Sequence, residues 1–219
     1  MINAVFCDFD GTVARRDIGY NLYHHFSNGR NDEVIPDWKA GRLSTRDCLR
    51  LEASMVTASP EEVYSFLDQF ELNRGFVEFT ALCRANRVPL TVLSEGLDFY
   101  IDYLLERHGV SGIPVHTNVG CLENGSITVK FPQQNRHCKR CGNCKGERIE
   151  DFRAAAAGPV RAIFVGDGYS DACATREADI IFAKKDLEEY CRTHHIEFYE
   201  YDDFFDVAGT LEELGCLNR

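Results

Sequence analysis

The chain has 219 residues, 44% of them hydrophobic and 27% charged, and a formal net charge of −11. That size and balance fit one globular unit with a sizeable core, or a core and a small insert, and no apolar run nears the ~18 residues of a membrane span. The acidic balance excludes nucleic acid as the main partner, because phosphate backbones select basic surfaces. A small phosphate ester stays admissible, since a few local cations or one metal reverse the field in a pocket.

Residues 4–7 are a short apolar, β-like run that ends at Asp8-Phe9-Asp10-Gly11-Thr12. Met1 to Val5 lacks a basic region followed by an apolar stretch. No secretion signal is expected, and a cytoplasmic setting with reduced thiols follows. Residues 15–73 are helix-prone and hold no convincing strand. Ser44-Thr45-Arg46-Asp47 and Ser59-Pro60-Glu61-Glu62 read as helix starts, each with a serine cap and an acid three residues on. Val63, Phe66, Leu67 and Phe70 mark one apolar helical face.

After Asn73 the pattern changes. Phe76, Phe79, Leu82 and Cys83 form a helical stripe, residues 89–93 a buried strand, and Leu97, Ile101, Leu104 and Leu105 the next helix. Residues 119–131 predict a hairpin about Glu123-Asn124-Gly125-Ser126. Residues 147–157 are helical, and residues 161–165, 180–183 and 196–199 are further strands. Strands alternating with helices predict an α/β fold with a mostly parallel sheet covered on both faces. Residues 1–14 and 74–219 would form the core, and residues 15–73 a small helical insert after the first strand.

In such sheets ligands bind beyond the carboxyl ends of the strands, where Asp8, Ser94 and Asp167 each follow a predicted strand. Phosphoryl transfer needs an in-line nucleophile, charge neutralisation and proton control. Asp8 is the candidate nucleophile, forming an aspartyl-phosphate, and Asp10 the candidate general acid–base. Mg²⁺ prefers oxygen ligands: Asp8 and Asp167 offer carboxylates and Asp10 its main-chain carbonyl, while Asp171 orients a metal-bound water or holds a lysine. Ser94 and the N–H groups after it suit phosphate oxygens, with the helix opening near Gly96 adding its dipole. Thr12 offers a hydroxyl, and Lys145 supplies a fixed cation. Taken singly, each of these is an ordinary turn, cap or solvated charge; their joint occurrence at strand ends is what points to a site.

Asp8-Phe9-Asp10-Gly11-Thr12, Ser94, Lys145 and Gly166-Asp167-Gly168-Tyr169-Ser170-Asp171 resemble, in order and across nearly the whole chain, the four motifs of the haloacid dehalogenase superfamily of phosphohydrolases. The resemblance implies a Rossmann-like core and a helical cap between the first two motifs. It also implies Mg²⁺ and a small phosphorylated metabolite as substrate. Ser94-Glu95-Gly96-Leu97-Asp98-Phe99 is similar to the phosphoserine phosphatase-like group. A closer resemblance is to the branch that holds the methionine-salvage methylthiopentenyl-phosphate phosphatases and the phosphoethanolamine/phosphocholine phosphatases. It is carried by the run His137–Lys145, the hairpin before it, and the tail Glu189-Tyr190-Cys191 with Tyr199-Glu200-Tyr201-Asp202-Asp203-Phe204. Asp17 stands where phosphoserine phosphatases carry a glutamate for the substrate amine, and Glu95 where those relatives have glycine. Both join Thr12 and Gly96 as candidate substrate contacts.

There are ten cysteines, and Cys138, Cys141 and Cys144 cluster before Lys145. Structural Zn²⁺ at these three is the less favoured reading: two separate C-x-x-C pairs are missing, and the adjacent His137 and Cys138 would strain one tetrahedron. Cys121 is a further candidate ligand, and a reversible disulfide ranks lower still. Arg42, Arg46 and Arg50 form a helical stripe, of which Arg46 is the candidate substrate contact. The expected activity is a Mg²⁺-dependent phosphomonoesterase, monomeric or homodimeric, with no membrane or nucleic-acid partner. The alternatives are a phosphotransferase or mutase using the same intermediate, or a non-catalytic metal-binding interaction protein.

Overall fold

In a computed structural model that describes residues 1–218, the chain begins with β1 (Ile2–Cys7), the middle of a seven-stranded sheet. β2 (Leu90–Leu97) and β5 (Val160–Gly166) flank it in parallel. Beyond β5 lie β6 (Ile180–Ala183) and the short β7 (Tyr199–Glu200); beyond β2 lie β3 (Val115–Glu123) and its antiparallel partner β4 (Ser126–Lys130). The strand sequences are nearly continuous apolar runs because both faces are covered. Val5, Cys7, Ile163, Val165 and Phe182 face one core, and Ala4, Phe6, Ala162, Phe164, Ile181 and Ala183 the other.

The first core packs α5 (Phe76–Ala85), α6 (Asp98–Arg107) and α9 (Phe204–Glu213), with Phe204 in edge contact with Phe76 at 4.9 Å between ring centres. The second packs α7 (Lys145–Ala155) and α8 (Lys185–Thr193).

Between β1 and α5 the chain leaves and returns at one point. Ala14 bridges Leu72 antiparallel, and Asn73 N–H donates to Val13 O at 2.7 Å. The excursion carries α1 (Ile18–Phe26), α2 (Ile35–Lys39), α3 (Thr45–Met55) and α4 (Pro60–Leu67). Ser44 and Ser59 cap α3 and α4 as their sequences require, and Ser59 with Glu62 closes a capping box. Apart from that one bridge, the excursion holds no strand among the described residues.

Three local expectations shift. The hairpin strand starts at Val115, not residue 119, because Val115 and His116 first pair in parallel with Val92 and Leu93. β2 runs on through Ser94–Leu97 after a register break, so the following helix opens at Asp98, past Gly96. The last strand covers Tyr199–Glu200, where residues 196–199 were expected.

Candidate active site

β1 and β5 deliver Asp8 and Asp167 to the same edge, and Asp8 N–H donates to Val165 O at 2.9 Å. After Asp8 the chain makes a wide turn over Phe9–Val13, in which Gly11 adopts φ +78°. A Cβ at Gly11 would run into the Asp167 carboxylate, so only glycine lets the two strand ends approach this closely.

Lys145, the first residue of α7 and fully buried, donates to Asp8 Oδ1 at 2.7 Å, to Ser170 Oγ at 3.2 Å and to Asp171 Oδ1. Burial alone would lower the lysine's pKa, but Asp171 and then Asp8 outweigh it and hold the ammonium well above its ordinary value. Asp171 Oδ2 accepts the N–H groups of Asp167 and Gly168, both at 3.0 Å. Both Asp171 oxygens are thus occupied, and the residue has the geometry to hold the lysine. Asp167 accepts from Thr12 Oγ1 at 3.2 Å and from Lys185 Nζ at 2.8 Å.

Carboxylate oxygens of Asp8, Asp167 and Asp171 lie within 4.8 Å of one another, and all three residues are buried. Desolvation, then the charge of Asp171, pushes Asp8 well above the usual carboxylate range, with Lys145 opposing. Desolvation likewise raises Asp171. Three acids therefore crowd one buried ammonium, and among the described residues only the half-exposed Lys185 adds positive charge by ion pairing to this group. An all-oxygen donor set with surplus negative charge fits Mg²⁺.

Asp10 is held apart from this cluster. Its Oδ1 accepts the N–H groups of Ile18 (2.8 Å) and Gly19 (3.1 Å) at the start of α1, and its Oδ2 accepts Tyr100 OH (2.7 Å) from α6. Despite these donors, desolvation keeps its carboxyl above the ordinary value, which suits a proton donor. Gly96 passes close by: a Cβ there would strike Tyr100 OH and Asp10 Oδ2. Ser94 is buried in β2, its Oγ accepting Gly96 N–H at 2.8 Å.

These groups floor a cavity of about 540 Å³ between the strand ends and the helical excursion, within the usual size of a small-molecule site. Asp8, Asp10, Asp17, Ser94, Glu95, Gly96 and Asp167 line it; the excursion contributes Tyr20, Tyr23, Ile35, Trp38, Leu49 and Glu52 among others. Asp17 caps α1 through Tyr20 N–H and faces the cavity, where desolvation and then Asp10 push its carboxyl up to about 7.

Two residues expected at the substrate, Thr12 and Arg46, stand outside the cavity lining, and a third, Glu95, lines it while bracing a loop. Thr12 is fully buried behind Asp167, with Tyr201 OH 3.3 Å from its hydroxyl. Arg46 turns away from the cavity and donates to Cys141 O at 2.8 Å, stacking over Phe131. Glu95 touches the cavity, but its Oε2 accepts the N–H groups of Gly142 (2.9 Å) and Asn143 (3.1 Å). It is an anchor for the loop 131–144, as is Glu147 Oε1, which accepts from His137 and Cys138. Lys145 also lies behind the floor and touches Asp8 from below. Tyr23, Trp38, Glu52, Tyr100 and Lys185 carry no local sequence signal; only the packing of the excursion, α6 and α8 brings them to the cavity.

The class of the protein is defined by a mostly parallel α/β sheet with a cluster of acids and one buried lysine at its strand ends. A family model for haloacid dehalogenase-like hydrolases matches residues 5–176, and the chain belongs to that family. It is 30% identical over 220 residues to a 2-hydroxy-3-keto-5-methylthiopentenyl-1-phosphate phosphatase of Bacillus thuringiensis subsp. konkukian (strain 97-27), covering 96% of each chain. An equivalent phosphatase of Bacillus cereus (strain ATCC 10987 / NRS 248) is 29% identical over the same span, again covering 96% of each chain. Among solved structures, a substrate-bound phosphoserine phosphatase superposes with a TM-score of 0.74 at 16% identity, covering 96% of this chain and 98% of that one. A phosphoserine phosphatase from T. onnurineus does so with 0.70 at 15%, covering 96% and 94%. No helix among the described residues is long and apolar enough to cross a membrane.

Proposed function

We propose that the protein is a Mg²⁺-dependent phosphatase that hydrolyses a small-metabolite phosphomonoester through an aspartyl-phosphate on Asp8. The observation that carries this reading is the buried Asp8–Lys145–Asp171 chain with Asp167 beside it and Asp10 separately held. Asp8 attacks phosphorus as the bond to the leaving oxygen breaks, and Asp10 gives that oxygen its proton. Asp10 then takes a proton from water, which attacks the same phosphorus and frees Asp8 and phosphate. Lys145 fixes and ionises Asp8, and Asp171 positions Lys145. Ser94 and the N–H groups near it receive phosphoryl oxygens. Asp8 and Asp167, with the Asp10 carbonyl, would hold Mg²⁺, which supplies charge neutralisation for the transferring group.

Residues 15–73 act as a cap. Their wall of Tyr20, Tyr23, Ile35, Trp38, Leu49 and Glu52 receives the leaving group and excludes bulk water. The similar Bacillus enzymes make 2-hydroxy-3-keto-5-methylthiopentenyl-1-phosphate the first substrate to assay, followed by phosphoserine, phosphoethanolamine and pyridoxal phosphate. Release of inorganic phosphate, with none passed to added alcohols, separates hydrolysis from transfer. Asp8→Asn is expected to lower kcat by at least ~10⁴-fold with the fold intact by circular dichroism. Full phosphatase activity in that variant would overturn the mechanism.

A further inference from the structure

Four of the ten cysteines converge at one place outside the cavity. The sulfurs of Cys138, Cys141 and Cys144 lie within 4.8 Å of one another. Cys173, in the turn after Asp171, stands outside that group of three, and its thiol interacts with those of Cys141 and Cys144. No sequence spacing pointed to Cys173, and the two other ligands considered from sequence do not join. Cys121 stands in β3 opposite Thr128, and His137 is outside the sulfur group.

We propose that Cys138, Cys141, Cys144 and Cys173 form a four-thiolate zinc site that ties the loop before Lys145 to the loop after Asp171. A tetrahedral zinc with bonds near 2.3 Å sets its sulfurs about 3.8 Å apart; Cys138, Cys141 and Cys144 already lie within 4.8 Å of one another, and Cys173 would turn toward them to close the set. Thiolates select zinc over Mg²⁺, which takes oxygen, and the two metals would occupy chemically distinct places in one chain.

The backbone is arranged for sulfur ligands. Cys141 N–H donates to Cys138 Sγ at 3.4 Å, within a Cys-x-x-Cys-Gly turn. The loop 131–144 has no helix or strand, yet residues 141–144 are buried. A loop that long without regular structure needs fixed anchors; Glu95 and Glu147 supply two, and the metal would supply the third. All ten cysteines are unpaired.

The site has a mechanical consequence. Cys144 immediately precedes Lys145, and Cys173 follows Asp171 by two residues. The zinc would therefore hold both ends of the Lys145–Asp171 ion pair. Its loading replaces thiol protons, which pass to buffer.

The test uses the whole protein, produced without added zinc and purified without chelator. Elemental analysis is expected to find about one tightly held zinc per chain, retained in Asp167→Asn, which disables the carboxylate site but not the sulfur site. Replacement by cobalt(II) is expected to give intense sulfur-to-cobalt charge-transfer bands, which carboxylate ligands do not produce, with the visible spectrum of a tetrahedral ion. Cys173→Ser is expected to weaken zinc at least ~10-fold and to reduce the charge-transfer intensity by about a quarter, one thiolate of four. If that variant fails to fold, the cobalt spectrum of the unaltered chain still decides. Metal-free protein, an octahedral cobalt spectrum, an unchanged spectrum in Cys173→Ser, or a Cys173 disulfide found by peptide mapping would each overturn the proposal. These readouts are independent of phosphatase activity, so they fail or hold apart from the proposed function.

Discussion

The two walls of the cavity are built differently. On the core side most acids are committed: Asp10 accepts three donors, Asp171 three, and Asp167 two, while Glu95 keeps one buried carboxylate oxygen without a partner among the described residues. On the excursion side, groups are left short. Among the described residues Tyr23 OH is buried without a hydrogen-bond partner, and Glu52 has only long contacts, 3.5 Å to Asn31, which lies behind the wall, and 3.6 Å to Cys48. A preorganised wall carries chemistry that does not change between substrates. An under-satisfied wall costs stability until a ligand supplies the missing partners. Under the proposed function, catalysis falls to the strand ends and selectivity to the helices.

The largest effect that would test this division is at Lys145. Lys145→Ala leaves Asp8 and Asp171 buried without their cation. Urea unfolding should show a loss of about 3–5 kcal/mol, and kcat should collapse by at least ~10³-fold. An active variant of ordinary stability would remove the core wall's claim to preorganisation.

Next comes Asp10→Asn, with kcat lower by about 10²–10⁴-fold on an alkyl phosphate. The loss should shrink on 4-nitrophenyl phosphate, whose leaving group needs no proton. An equal loss on both would assign Asp10 a structural role instead.

Glu52→Gln probes the other wall. Burial pushes the Glu52 carboxyl from 4.5 to about 7. Its folded value is thus raised above the unfolded one, so its stabilising contribution is full below pH 4.5 and is lost as pH rises to about 7. The variant lacks that slope and should be more stable at pH 8, by on the order of 1–3 kcal/mol, in urea melts compared at pH 4.5 and 8. KM should rise several-fold with kcat little changed. A fall in kcat alone would place Glu52 with the catalytic groups.

The smallest effect is expected at the cavity mouth, where Lys39 of the excursion pairs with Asp186 of α8 at 3.2 Å, both half-exposed. Such a pair contributes ~1 kcal/mol or less. Lys39→Ala should leave the melting temperature nearly unchanged and shift KM less than about threefold, with the difference vanishing in high salt.

The sheet was legible because its strands are continuous apolar runs buried on both faces. Asp8 and Asp167 were legible because they directly follow strands, where a parallel sheet gathers residues far apart in sequence; Ser94, expected at a strand end, lies inside β2. Two of the four excursion helices, α3 and α4, were foreshadowed by their serine caps and the apolar stripe of α4.

Side-chain direction was not legible. Thr12, Glu95 and Arg46 have the right chemistry near the right motifs, yet Asp167, the loop 131–144 and Cys141 claim them. Tyr100, Glu52 and Cys173 reach their places through helix packing and loop closure across tens of residues, which no short spacing encodes. By itself the sequence determined a mostly parallel sheet covered on both faces and the acids at its edge, since apolar runs and strand ends are local properties. Tertiary structure alone decided the order of the strands, which polar groups face the cavity, which brace the chain behind it, and that Cys173 comes near the other three cysteines. Those outcomes depend on how separately folded segments compete for the same buried hydrogen bonds.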